Sequence, residues 1–98
     1  MQASVHKLHD RQDGYRVTIT DITPGVDVLS VIFKRQEVDS PSVAFTWRPE
    51  NGRIEETIDS TTYDRYSRHF QDVVVGDYLT VTIADGNTPP QILQIQVS

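Results

Sequence analysis

The chain contains no cysteine. Disulfide staples, thiolate nucleophiles and cysteine-ligated zinc are excluded together by that one absence. Lysine and arginine form no run, and the formal net charge is −5. Such a balance repels phosphate backbones and anionic lipid, so neither nucleic acid nor a membrane surface is the expected partner. No stretch approaches the length of an apolar membrane span, and residues 1–14 lack the apolar centre of a secretion signal. A chain used without that signal, or cut from a longer one, is expected. Hydrophobic residues make up 37% and aromatic residues 8%, with a single tryptophan. The first figure sits below the roughly 45–50% of a globular chain counted with glycine, which predicts a thin core. At 98 residues the chain is long enough for one such core, so residues 1–98 are expected to form one domain.

Catalytic constellations are missing as well. Glu55 and Glu56 are adjacent on a predicted strand and point to opposite faces, the wrong geometry for two carboxylates flanking one bond. The serines lack the strand, turn and helix setting of a nucleophile elbow, and no histidine lies close to one. His6 and His9, three apart on a strand, would also diverge, and no third metal ligand accompanies them. Asp10 with Asp13, Asp72 with Asp77 and Asp85 with Asn87 fall in loops, but no twelve-residue calcium series contains them, so they read as turn formers. The expectation is a non-enzymatic protein without cofactor or metal.

What the sequence does contain is alternation. Leu79, Val81 and Ile83 oppose Tyr78, Thr80 and Thr82 in 74–84, the longest β-forming stretch and the predicted central strand. Shorter strands are predicted over 5–8, 15–22, 26–35, 43–48, 53–59 and 91–97. Turn signals separate them: Asp13-Gly14, Thr23-Pro24-Gly25, Asn51-Gly52 and Asp85-Gly86-Asn87. The first and third predict hairpins, 5–8 into 15–22 and 43–48 into 53–59. Residues 60–72 are predicted as a loop with at most one helical turn. About seven short strands and no long helix predict an all-β fold, a Greek-key sandwich of antiparallel strands with Trp47 turned into its core.

Trp47 in a mid-chain strand, the turn at Gly52 and the run Gly-Asp-Tyr-Leu-Thr-Val-Thr-Ile-Ala-Asp-Gly-Asn over 76–87 resemble immunoglobulin-like repeats of bacterial and phage surface proteins. Polycystic-kidney-disease-type and gliding-adhesin repeats carry a mid-domain tryptophan and a similar closing strand. Leu79 stands where that pattern has its tyrosine, and Tyr78 comes one residue early. The resemblance implies an immunoglobulin-like β-sandwich serving as a structural or interaction module. Phage capsid and tail accessory domains are the phage relatives in view, so a virion or cell-surface assembly is the implied location and partner.

For the contact itself, aromatic residues interleaved with arginine are the expected signal, because tyrosine and arginine dominate binding hot spots. Tyr63, Arg65, Tyr66, Arg68, His69 and Phe70 form that stretch. An edge strand near either terminus, adding to a neighbour's sheet, is the other predicted contact, with a second copy of the chain among the candidate neighbours. With Trp47, the aromatic members of the stretch would also suit a sugar ring, which makes a carbohydrate-binding module the alternative function.

Overall fold

The computed structural model describes residues 1–10, 14–36, 39, 41–59, 70 and 72–98. Seven strands follow in chain order: β1 Gln2–Lys7, β2 Tyr15–Thr20, β3 Leu29–Arg35, β4 Val43–Trp47, β5 Ile54–Ile58, β6 Tyr78–Ala84 and β7 Gln91–Gln96. They form two antiparallel sheets, β1-β2-β5 and β4-β3-β6-β7. No α-helix occurs among the described residues.

Alternation in the sequence becomes burial because successive side chains of a strand leave opposite faces. Val5, Val17, Ile19, Ile54 and Ile58 from one sheet join Leu29, Val31, Phe33, Leu79, Val81 and Ile83 from the other in one buried cluster. Trp47 lies on the expected face but only half-buried, since β4 is an edge strand. Its ring stacks on Phe45 at 4.9 Å, and both pack against the cluster.

Turns set where the strands stop. Pro24 and Gly25 close a turn in which the Val26 N–H donates to the Thr23 carbonyl at 3.3 Å, and Gly25 takes φ +90°. The next strand therefore begins at Leu29, three residues later than the pattern suggested. Similarly, residues 74–77 are a turn and not the start of β6. The Val74 N–H donates to Asp77 Oδ2 at 2.9 Å, and the Asp77 N–H donates to the Val74 carbonyl at 3.0 Å.

β1 and β2 pair antiparallel as predicted, with the Leu8 N–H donating to the Gly14 carbonyl at 2.9 Å, while Asp13 of the predicted turn lies outside the described residues. The hairpin predicted from β4 into β5 is not present. Asn51 and Gly52 do adopt the positive φ of a tight turn, 54° and 73°, and Glu50 and Arg53 exchange hydrogen bonds of 2.8 and 3.1 Å across it. No pair beyond Glu50 and Arg53 joins β4 to β5. The Ile22 N–H then donates to the Gly52 carbonyl at 3.1 Å, which ties the turn to the end of β2 and sends β5 into the other sheet.

The turn after β6 shows why its acid is there. Asp85 Oδ1 accepts from the Asn87 N–H at 2.8 Å and the Thr88 N–H at 2.9 Å, and the Thr88 hydroxyl also donates to the carboxylate. Hydrogen bonds from the Asn87 and Thr88 backbone hold this carboxyl below its ordinary value. A carboxyl depressed in the folded state stabilises the fold fully above its unfolded pKa and loses that contribution as pH falls through the folded one. Urea midpoints measured from neutral pH into the acid range should therefore fall less steeply for Asp85→Ala than for the parent below the usual carboxylate range, from a lower starting value. Parallel curves would contradict this reading.

Candidate interaction surface

Of the six residues singled out by sequence, Tyr63, Arg65, Tyr66, Arg68 and His69 lie outside the described residues. Phe70 is placed in the core and is removed from the expected contact. It is 2% exposed and meets Tyr15 edge-on at 5.1 Å and Phe33 at 5.4 Å. An aromatic in an amphipathic stretch can face either way, and here the space beside Tyr15 and Phe33 takes it inward.

The other flagged side chains are dispersed. His6 and His9 do approach, with ring centroids 6.1 Å apart, because β1 ends at Lys7 and the alternation that would separate them ends with it. Among the described residues no three His, Asp or Glu side chains converge on a metal-sized site. Glu55 pairs with Arg16 at 3.6 Å and Arg53 at 3.3 Å, and Asp77 pairs with Arg35 at 3.1 Å. A concavity of about 750 Å³ lies between the turns that follow β2 and β4. It is wide open, and none of its lining side chains is aromatic, so it offers no stacking platform for a sugar.

Sheet edges are more informative. A strand edge exposes unpaired N–H and C=O groups, and proteins normally cover or guard it. The two terminal strands are tied together at one end. The Ser98 N–H donates to the Val5 carbonyl at 3.0 Å and the Lys7 N–H to the Ser98 carbonyl at 2.7 Å, so β1 is bound to the residues that follow β7. That contact occupies the Val5 and Lys7 end of β1, and no strand pairs with the outer side of Gln91–Gln96 among the described residues. On the opposite side, β5 carries Glu55 and Glu56. Glu56 occupies the inward parity between Ile54 and Ile58 yet stays exposed, which is an inward-pointing edge charge. The remaining edge is β4. It reads Val-Ala-Phe-Thr-Trp, carries no charge, and has no strand on its outer side among the described residues.

This open edge borders an uncharged face. On the outward side of the four-stranded sheet, the register sets Ala44, Ile32, Thr82 and Ile92 in one row. Neighbouring rows hold Thr46, Ser30 and Ala84 on one side and Lys34, Thr80 and Gln94 on the other. Beyond these, Tyr78 opposes Gln96. Lys34 is the one ionic side chain among these strand positions, although 23% of the chain is charged. Ile92 is 66% exposed and Tyr78 51%, so neither fills a core. Sequence reasoning missed this surface because it is spread over four strands that only the topology brings together. No family model, curated protein or solved structure matches the chain.

Proposed function

We propose that the chain is a single immunoglobulin-like Greek-key β-sandwich acting as a non-enzymatic structural and interaction module, an accessory or decoration domain on a phage capsid, tail or other surface assembly. The strand order supports the fold: β1, β2 and β5 stand where strands A, B and E stand in an immunoglobulin domain, and β3, β6 and β7 where C, F and G stand. β4 lies beside C instead of beside E. Tyr78, at the start of β6, is exposed and makes no tyrosine corner.

The observation that carries the functional reading is the four-stranded face. Charge depletion with exposed aromatic and aliphatic side chains marks a surface that lies against another protein, since charged residues are excluded from interface centres. Virion or appendage as the location rests on the resemblance of the Trp47, Gly52 and 76–87 motifs alone.

The chain has two lysines, Lys7 near the three-stranded sheet and Lys34 on the face in question. Amine labelling of the native assembly should modify Lys34 several-fold less than it does in the free chain, at matched protein concentration. Equal labelling of Lys34 in both, or a chain that sediments alone from its native source, would overturn the reading. Saturable binding on a glycan array would favour the carbohydrate-binding alternative instead.

A further inference from the structure

We propose that the outer edge of β4 is a strand-docking site for an extended segment of a protein partner, uncharged over about five residues and acidic at both ends. The proposal deepens the reading of the chain as an interaction module and rests on it. Three observations define the segment.

First, β4 is an edge without a guard among the described residues. β1 is bonded to Ser98 and β5 bears Glu55 and Glu56, whereas β4 has no charge within it and no strand beside it among the described residues. Added main-chain hydrogen bonds are what such an edge can supply. Second, prolines set its length. Pro41 precedes the strand and Pro49 follows it, which marks 42–48 as the stretch of edge a docked segment would follow. That span is about 20 Å of extended chain.

Third, each end carries a cation that forms no ion pair among the described residues, although Glu50, Glu55 and Glu56 line the concavity beside Arg48. Continuing the register of Phe33 with Val43 places Lys34 opposite Ser42 at one end of the edge. Arg48, one residue past Trp47 and exposed, stands at the other. Arg16, Arg35 and Arg53 each hold an acid, but Lys34 and Arg48 have no acidic partner among the described residues. In a chain of net charge −5, two cations outside any ion pair among the described residues, one at each end of an uncharged strand, suit an acid at each end of the incoming segment. On the inward side the segment would cover the exposed parts of the Phe45 and Trp47 stack, which supplies the apolar contact.

Trp47 is the sole tryptophan, so intrinsic fluorescence reads this edge directly. The probe is a capped seven-residue peptide with Glu at each end and Val alternating with Thr between, titrated into the full chain beside a control peptide with Lys at both ends. The Glu-ended peptide should shift Trp47 emission to the blue saturably and bind about tenfold more tightly than the control. Raising salt should narrow that difference. In K34E/R48E, with its fold confirmed by circular dichroism, the preference should reverse.

No Trp47 response, equal response to both peptides, or an unchanged preference in K34E/R48E would overturn the proposal. So would a concentration-dependent dimer in sedimentation that the Glu-ended peptide does not dissociate, which would assign the edge to a second copy. Protection of Lys34 in the native assembly together with failure of the peptide titration would leave the module reading standing and remove the β4 edge from it.

Discussion

Phe70→Ala is expected to lower the stability of the chain by about 3–5 kcal/mol, the cost of emptying a buried aromatic site that collapses only in part. Phe70 is 2% exposed and its ring meets Tyr15, Phe33 and Phe45 edge-on at 5.1, 5.4 and 6.4 Å. Those neighbours belong to β2, β3 and β4, so the ring joins side chains of both sheets. Truncation removes its own transfer energy and the edge-to-face contacts on the two layers at once. Domains of this size are stable by about 5–15 kcal/mol, so the variant should lose a large share of its margin. Its melting temperature should fall by at least about 12 °C, at roughly 4 °C or more per kcal/mol. Urea unfolding is the measurement. A loss below about 1 kcal/mol would mean that the residue stands at the surface, as the sequence pattern had suggested.

Tyr15→Phe should cost about 2 kcal/mol, within the usual 1–3 kcal/mol for leaving a buried acceptor unmatched. Tyr15 opens β2 and its hydroxyl donates to the carbonyl of Val73, just ahead of the turn into β6. Both residues are buried, so water cannot readily replace the lost donor. The phenylalanine ring would still meet Phe70, which isolates the hydroxyl from the packing. Equilibrium unfolding in urea should show a lower midpoint with an unchanged slope, since the surface exposed on unfolding is the same. An unchanged midpoint would show that the bond does not hold this segment to β2.

Alternating residues made most of the strands legible. Leu79, Val81 and Ile83 are all buried, as the two-residue period of β6 demands. Boundaries were less legible where β-branched residues ran on into a turn. Val74 and Val75 favour extended backbone, yet Gly76 at φ +97° and the Asp77 cap bend them out of β6 and leave both more than half exposed. The Asn51-Gly52 signal was read rightly as a turn and wrongly as a hairpin. A dipeptide fixes local φ, whereas the choice of sheet depends on contacts distant in sequence, here the Ile22 N–H on the Gly52 carbonyl and the pairing of β5 with β2. Phe70 was misplaced for a related reason, because the cavity it fills is lined by residues distant in sequence. The β4 edge could not be read at all before the strand order was known. Its lack of charge is visible in residues 43–47, but being an edge is a property of the sheet.

The central claim is that β4 is an open, unguarded sheet edge among the described residues. Amide hydrogen exchange on the free monomer tests it most directly. Within β2, β3 and β6, which have strands on both sides, nearly every amide should be slow to exchange. Along Val43–Trp47 slow and fast amides should alternate, the fast ones being those that point away from β3. Uniformly slow exchange along β4, matching β6, would mean that something already covers that edge and would contradict the account.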